Sequence, residues 1–438
     1  MRDCASSASN ERPLQETGSK GRKLSLIRER NASDAGKVNL ASRLNGSELL
    51  LSVATSFSAD YRQAREKFLR ALPQARPFVL ANFLGPQNEE LAIDSAWVGD
   101  PKAQCVLVII SGTHGPEGFC GSGIQIDWLA LLEEGRLPDG VALLFIHGLN
   151  PHGFAWDRRV TQEGCDLNRN FVDFAAGAPP NPGYDELRAH FVPPALQGPS
   201  FEVAREAIRQ FKLEHGERAF QIARKAGQYS DPDGMFFGGF NRSWSACTLE
   251  AIANVYGLAS RKFVAIIDVH TGLGPYGYGE LQSEHVAASS SQAVADRMFG
   301  PSVTSADLGT SASIPIHGSL QLFWERLLGD GRHLYLCLEY GTFDTESAQR
   351  VLLADQWLHV HGGGDRTAAF GREVRSRMRA HFCPDDPSWK EAVLFRGRQV
   401  LRQALSGLEQ IAGGGFALQQ ASCTDSGLPP QAATGKAE

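Results

Sequence analysis

The most informative part of the sequence is a glycine-rich stretch with a histidine and a glutamate three residues apart. His114 and Glu117 come just after the apolar run 105–110, within Ser-Gly-Thr-His-Gly-Pro-Glu-Gly. Imidazole nitrogen and carboxylate oxygen are both zinc ligands, and the carboxyl ends of strands are where open α/β sheets hold their sites. Because the chain has 12 histidines, such a pair could arise by chance, so its meaning depends on the rest of the chain.

Three further apolar runs end in polar residues. Runs 141–146, 263–269 and 334–338 are short, rich in Val, Ile and Leu, and bounded by glycine or polar residues, which is typical of strands buried on both faces. Run 141–146 is followed by Asn150-Pro-His-Gly153, Arg158-Arg159 and Asp166-Leu-Asn-Arg169. Run 263–269 is followed by His270, and run 334–338 is followed by Glu339. Such residues at successive strand ends predict one site at one edge of a sheet.

The residue types at these strand ends suit metal-assisted hydrolysis. His114, Glu117 and His270 could supply three ligands, which is the number that a catalytic zinc ion takes while it keeps a position for water. Glu339 could accept a proton from that water and return it to a leaving amine. An unpaired carboxylate at the end of an apolar strand would be costly to bury, which favours a functional role for Glu339.

The remaining polar residues suit the binding of negative charge. Attack on an amide carbonyl creates an oxyanion that needs a fixed donor; we choose Arg159 for this role, with Arg158 as the fallback. Asn168 and Arg169 could bind a carboxylate, the arginine through a bidentate contact. Arg169 could instead bridge structural carboxylates such as Asp166.

The order and spacing of these residues resemble those of the zinc carboxypeptidases. The matching parts are His114-x-x-Glu117, Asn150-Pro-x-Gly153, Arg159 upstream of Asp166-Leu-Asn-Arg169, His270 and Glu339, and they cover about 105–345. The resemblance implies that His114, Glu117 and His270 bind one Zn²⁺ ion, that Arg159 stabilises the oxyanion, that Asn168 and Arg169 bind a substrate carboxylate, and that Glu339 is the general base. The chain looks most like a bacterial branch of this superfamily.

The resemblance implies a hydrolase that cleaves an amide bond near a free carboxylate, in a small peptide or an acylated amino acid. An alternative is an N-acyl amino acid deacylase of the aspartoacylase and succinylglutamate desuccinylase type, which shares the same residues. A third is a non-catalytic binding protein on the same fold, although the presence of the three ligands and Glu339 argues against it. The tyrosine that carboxypeptidases place over the substrate has no counterpart that the pattern identifies.

Other polar residues are expected to be structural. We expect Asp268 on the face of its strand opposite to His270, and so as a structural or neighbouring-loop partner rather than the residue that orients this imidazole. Four histidines are also expected to be structural, and two of them, His152 and His317, could line the pocket; the other two are His147 and His333.

The elements around these residues alternate between strands and helices. A helix is predicted over 61–72 and a hairpin over 77–83 and 91–98; further helices are predicted at 122–134, 201–226, 244–256, 345–360, 367–381 and 388–411. This alternation predicts an α/β fold, a single domain with a central mixed, largely parallel sheet flanked by helices. We expect residues 1–50 to be a disordered extension, 55–412 the zinc carboxypeptidase-like catalytic domain, and 413–438 a disordered tail.

The composition of the chain limits the classes of partner that we expect. The net charge of −6, with 43 basic and 49 acidic residues, and the lack of a basic block argue against a nucleic-acid partner. No apolar stretch is long enough to span a bilayer, so no membrane partner is expected. The eight cysteines are scattered without a Cys-x-x-Cys pair, and the N-terminus lacks the apolar region of a secretion signal. We therefore expect a cytoplasmic protein with reduced thiols.

Overall fold

The computed structural model describes residues 53–132 and 136–415. The predicted N-terminal extension (1–50) and residues 416–438 of the predicted tail lie outside the described residues. No helix in the described ranges combines the length and apolar character that crossing a membrane requires.

A single eight-stranded sheet runs through the described part of the chain. Its strands are β1 (Arg76–Leu84), β2 (Glu90–Val98), β3 (Cys105–Ile110), β4 (Val141–His147), β5 (Phe263–Tyr276), β6 (Gly279–Ser283), β7 (Val303–Ser305) and β8 (His333–Gly341). Their order is β1-β2-β4-β3-β5-β8-β6-β7. The four central strands, β4, β3, β5 and β8, run parallel, whereas β1 and β2 form the expected antiparallel hairpin at one edge.

Helices cover both faces of the sheet. They are α1 (Tyr61–Ala71), α2 (Gly118–Leu132), α3 (Pro151–Trp156), α4 (Pro182–Phe191), α5 (Pro199–Lys225), α6 (Trp244–Val255), α7 (Ser290–Phe299), α8 (Leu320–Leu328), α9 (Thr345–Val360), α10 (Ala369–Phe382) and α11 (Pro387–Ala412). The predicted fold class, a mixed and largely parallel sheet flanked by helices, is confirmed.

Alternate residues of each central strand face different helical layers, because successive side chains of a strand point to opposite faces. In β3, Leu107 and Ile109 belong to the core that includes residues of α1, α2 and α11. Val106 and Val108 belong to a second core with residues of α6 and α8. Both faces are buried, which accounts for the continuous apolar runs in the sequence.

Some elements were not predicted. Strand β6 has a single large apolar residue, Leu281, and forms because its backbone pairs with β8. Helix α2 begins at Gly118, four residues before the predicted start, although glycine is a poor helix former. A Cβ at Gly121 would lie 2.6 Å from Cβ of Ser111, so close packing on the end of β3 requires glycine there. The shorter helices α3, α4, α7 and α8 were also not predicted.

Candidate metal centre

His114 and Glu117 lie in the tight turn between β3 and α2. A Cβ at Gly115 would lie 2.0 Å from the backbone carbon of Gly153 and 2.2 Å from the carbonyl oxygen of Arg158. Only glycine fits so close an approach. The turn is therefore held against the segment that follows β4.

The Asn-Pro-x-Gly motif builds that segment. The Oδ1 atom of Asn150 accepts a hydrogen bond from the backbone of Gly153 at 2.9 Å and caps α3, and its Nδ2 atom donates to the carbonyl of Arg159 at 3.2 Å. Pro151 at the first turn of α3 suits a helix start. Asp157 then ends α3 in the left-handed region, with φ 50°. These local features bring Arg159 back to the His114 turn.

Three potential ligand side chains converge. His114 Nδ1 lies 2.9 Å from Glu117 Oε1, and His270 Nδ1 lies 3.0 Å from Glu117 Oε2. The two Nδ1 atoms are 3.3 Å apart. Two nitrogen ligands of a tetrahedral zinc ion with bonds of about 2.0–2.1 Å stand roughly 3.3 Å from each other. The donor set and its spacing therefore fit a zinc ion, and the three side chains form a candidate metal site.

A carboxylate contacts the far nitrogen of each imidazole. His114 Nε2 lies 3.1 Å from Asp166 Oδ1, and His270 Nε2 lies 2.8 Å from Asp268 Oδ2. A carboxylate at one ring nitrogen holds a proton there and leaves the lone pair of the other nitrogen available for a metal. At His270, this sets Nδ1 toward the centre. At His114, Nη2 of Arg159 also lies 2.9 Å from Nε2, so this nitrogen has a donor as well as a carboxylate beside it.

The expectation for Asp268 was wrong. Residues i and i+2 of a strand share a face, so Asp268 and His270 lie side by side, and the carboxylate orients the imidazole directly. Thr113 and Tyr335 donate hydroxyl hydrogen bonds to the same carboxylate at 2.9 and 3.0 Å. Asp268 is therefore a fixed partner of His270.

Arg159 lies in the centre and Arg158 does not. Arg159 Nε donates to Asp166 Oδ2 at 2.8 Å, and its Nη1 atom donates to Glu117 Oε1 at 3.3 Å. Arg158 points to α9, where it donates to Gln356 at 3.1 Å. Of the two arginines considered from the sequence, the structure brings only Arg159 to the predicted ligands.

Burial and neighbouring charges shift the pKa values of this cluster in opposite directions. Burial alone would raise the pKa of Glu117, but the imidazoles of His114 and His270 hold it well below its usual range. Burial alone would lower the pKa of His270, but Asp268 and Glu117 raise it well above its usual value.

Glu339 stands beside His270 on the neighbouring strand, since the two residues pair in the β5–β8 register. Its Oε1 atom accepts a hydrogen bond from the backbone of Leu273 at 3.0 Å. Burial and the negative charge of Glu117 raise the pKa of Glu339 to about 8, against the opposing effects of His270, Leu273 and Arg159. Glu339 is 6% exposed and lines the same cavity as the three potential ligands.

Asn168 and Arg169 lie in a short 3₁₀ turn that Asp166 caps. Arg169 Nε and Nη2 donate to the carbonyl of Lys225 at 3.0 and 2.7 Å, and Nη1 donates to the carbonyl of Asn168 at 2.7 Å. A guanidinium has five N–H donors, so one N–H remains on each terminal nitrogen. Arg169 does not form the hydrogen bond to Asp166 that the sequence left open; its fixed side chain faces the cavity.

All seven predicted site residues line one cavity of about 710 Å³, its open mouth included. No sequence motif would have identified the other lining residues, apart from the alternation of Cys337 with Glu339 along β8. These residues include Lys225, Phe236, Gln282, Glu284 and Cys337. Phe236 adopts φ 56°, and the guanidinium groups of Arg159 and Arg169 lie 5.2 and 5.8 Å from its ring centre.

The four histidines expected to be structural do not line this cavity. His147 Nε2 lies 3.0 Å from the hydroxyl of Ser122 inside the core, and burial lowers the pKa of His147 to about 3. Among the described residues, no tyrosine lines the cavity either, and the exposed Tyr276 donates its hydroxyl hydrogen bond to Asp386.

A family model described as "Protein of unknown function (DUF2817)" matches residues 57–396. The chain belongs to this family. No curated protein matches it.

Solved structures that match this chain include a carboxypeptidase, a desuccinylase and an aspartoacylase family protein. Carboxypeptidase A from Helicoverpa armigera is 12% identical over 84% of this chain and 80% of its own, with a TM-score of 0.43. Succinylglutamate desuccinylase from Chromobacterium violaceum is 14% identical over 73% and 74%, with a TM-score of 0.33. An aspartoacylase family protein from Mesorhizobium loti is 12% identical over 61% of each chain, with a TM-score of 0.32.

Proposed function

We propose that this DUF2817 protein is a zinc-dependent hydrolase that binds one Zn²⁺ ion and cleaves an amide bond next to a free carboxylate, in the manner of a carboxypeptidase. The observation that carries the proposal is the set of side chains that line one cavity. It holds the converging ligand atoms of His114, Glu117 and His270, the carboxylate of Glu339, and the fixed guanidinium of Arg169.

The ligand triad and Glu339 divide the chemistry between them. A zinc ion held by the triad would supply a Lewis acid that activates water and polarises a carbonyl. Glu339 accepts the proton of the attacking water and delivers it to the leaving nitrogen.

The cations hold the substrate and the charge that develops on it. Arg159 keeps Nε on Asp166, and its terminal nitrogens contact Glu117 Oε1 at 3.3 Å and His114 Nε2 at 2.9 Å. A second N–H on each terminal nitrogen is left to donate to the oxyanion. The two remaining N–H groups of Arg169 form a fork that matches a carboxylate. Asn168 accepts a hydrogen bond from the backbone of Leu320 with Oδ1 at 2.8 Å, so its Nδ2 atom remains to donate to the same substrate carboxylate.

The test compares matched peptides with free and amidated C-termini, with and without a chelator. We expect about one equivalent of zinc in the purified protein, hydrolysis of free C-termini only, and loss of activity on chelation that added zinc restores. Equal turnover of amidated peptides would contradict the role of Asn168 and Arg169. Less than about half an equivalent of zinc after gentle purification would contradict the metal assignment.

A further inference from the structure

Phe236 adopts a backbone conformation that bulky residues rarely take. Its φ of 56° lies in the left-handed region, where glycine fits without strain and a side chain with a Cβ does not. The carbonyl of Phe236 accepts a hydrogen bond from the backbone of Gln228 at 3.2 Å, and the carbonyl of Phe237 accepts one from the backbone of Asp166 at 2.7 Å. A bulky side chain that is kept in a strained conformation at a site indicates a function for that side chain.

The loop that carries Phe236 packs on the turn that holds Arg169. Tyr229 donates its hydroxyl hydrogen bond to the carbonyl of Arg169 at 2.7 Å, and a Cβ at Gly238 would lie 2.8 Å from the same carbonyl oxygen. A Cβ at Gly227 would lie 2.9 Å from Cδ of Arg169, so the backbone also approaches this side chain closely. Phe236 is buried and lines the cavity. The loop therefore fixes the ring of Phe236 relative to Arg169.

The ring of Phe236 lies beside both arginines of the cavity. The guanidinium groups of Arg159 and Arg169 are 5.2 and 5.8 Å from the ring centre, and both distances are within the range of cation–π attraction. Burial lowers the pKa of Arg169, and the like charge of Arg159 lowers it further, against the opposing effect of Asp166. Arg159 pairs with Asp166 and Glu117, whereas in the described ranges of the chain no carboxylate oxygen lies within 4.0 Å of the Arg169 guanidinium. The ring is thus a neutral group that attracts two cations which repel each other.

We propose that Phe236 is a positioning residue that holds Arg159 and Arg169 at a fixed spacing. This inference rests on the proposed function, because it assigns the oxyanion to Arg159 and the substrate carboxylate to Arg169. With the spacing fixed, a substrate must carry its carboxylate at one set distance from the scissile carbonyl. An α-amino acid residue on the leaving side meets this distance, whereas a β-amino acid residue places its carboxylate one carbon farther away. Phe236 acts through the two arginines and exchanges no proton with the substrate.

The test uses alanine and β-alanine, which are isomers whose carboxylates differ in position by one carbon. Benzoyl-glycyl-alanine and benzoyl-glycyl-β-alanine are supplied to the zinc-loaded protein, and kcat and KM are measured for each. We expect the parent protein to prefer alanine by at least about tenfold in kcat/KM, because misplacement of a binding group by about 1 Å costs as much as about 10²-fold. Phe236→Leu should reduce the preference to less than about threefold, since leucine has no π face to hold the arginines. Phe236→Tyr keeps the ring and should keep the preference.

Two further variants separate this role from a general effect on the fold. Phe240→Leu is the matched control, since it makes the same change at an exposed residue of the same loop outside the cavity, and it should leave the preference unchanged. Phe236→Gly removes the ring but suits the left-handed backbone, so it should keep the fold and lose the preference. Zinc content and the midpoint of urea unfolding identify the variants that are folded.

A binding measurement separates this inference from the proposed function. Calorimetry with N-benzoyl-alanine and N-benzoyl-β-alanine needs no turnover, and the benzoyl carbonyl takes the place of the scissile one. A preference for the alanine compound that Phe236→Leu removes and Phe236→Tyr retains, without hydrolysis of any substrate, would overturn the proposed function and support this inference. Equal binding and turnover of the two isomers by the parent protein, a preference that persists in folded Phe236→Leu and Phe236→Gly variants, or an equal loss of activity on both isomers would overturn this inference alone.

Discussion

Two separate groups in the described part of the chain each contain two histidines and a glutamate close enough to hold a metal ion: His114, Glu117 and His270 in one, and His285, Glu325 and His333 in the other. In the first group, the inner nitrogens face one another, and the outer nitrogen of each histidine contacts a buried carboxylate, with Arg159 also beside that of His114.

In the second group, a backbone atom contacts one ring nitrogen of each histidine. His285 Nε2 accepts a hydrogen bond from the backbone of Tyr335 at 3.0 Å, so its proton lies on Nδ1. His333 Nδ1 lies 2.9 Å from the carbonyl of Gly329, and Glu325 is exposed. Burial lowers the pKa of His285 to about 3, so this histidine is neutral in the folded protein.

The difference shows that ligand type and proximity do not make a metal site. The partner of the far nitrogen decides whether the near nitrogen has a free lone pair. A neutral histidine has one such lone pair, and in His285 the backbone of Tyr335 already uses it.

Loss of a ligand should separate the two groups most strongly. His270→Ala should reduce bound zinc from about one equivalent to less than about a tenth and abolish hydrolysis, because it leaves two of the three protein ligands that a catalytic zinc ion takes. His333→Gln should keep the zinc content of the parent protein. Metal analysis after dialysis checks both variants, and equal loss from the two would contradict the distinction between the groups.

The substitution Glu339→Gln should have the next largest effect on hydrolysis. Removal of the general base should lower kcat by about 10²–10⁴-fold while the zinc content is retained, since Glu339 is not one of the three ligands. Glu325→Gln, the same change in the second group, should leave kcat unaltered. If Glu339→Gln kept full activity, another group would have to be the base.

The orienting carboxylates should have a smaller effect. Asp268→Asn and Asp166→Asn should each weaken zinc affinity by about 10–100-fold, because the amide no longer fixes the proton on the outer nitrogen as a carboxylate does. Competition with a chromogenic chelator measures this change. An unaltered affinity in both variants would show that these contacts serve packing only.

The smallest expected effect concerns acid stability. The pKa of His285 is about 3 when folded and about 6.5 when unfolded. Between these two pH values, His285 binds more protons in the unfolded chain than in the folded chain. The contribution of His285 to the free energy of unfolding therefore falls as pH decreases from about 6.5 toward 3, by at most about 1.4 kcal/mol per pH unit.

His285→Gln should therefore reduce the slope of unfolding free energy against pH in that window, whatever its effect at pH 7. Urea unfolding of the metal-free protein between pH 4.5 and 7.5 measures the slope. An identical slope in the variant and the parent would contradict the neutral, buried state of His285.

Much of the site could be predicted because its residues follow strands with strong apolar patterns. His270 and Glu339 end two such strands, and the parallel β5–β8 pairing places them side by side. Gly115 and Gly153 fix the turns that bring Arg159 to the same edge. Glu284 could not be predicted in this way, because it follows β6, a strand whose residues have no clear apolar pattern.

By itself, the sequence determined the buried strands, the fold class and the residues that stand at the strand ends, because hydrophobic periodicity and glycine-rich turns are local properties. Tertiary structure decided which of the neighbouring arginines, Arg158 or Arg159, faces the ligands, and that Asp268 orients His270. It also brought Glu284 into the cavity and kept His285 and His333 out of it. These outcomes depend on packing and hydrogen bonds between residues far apart in the chain, and no local pattern encodes those contacts.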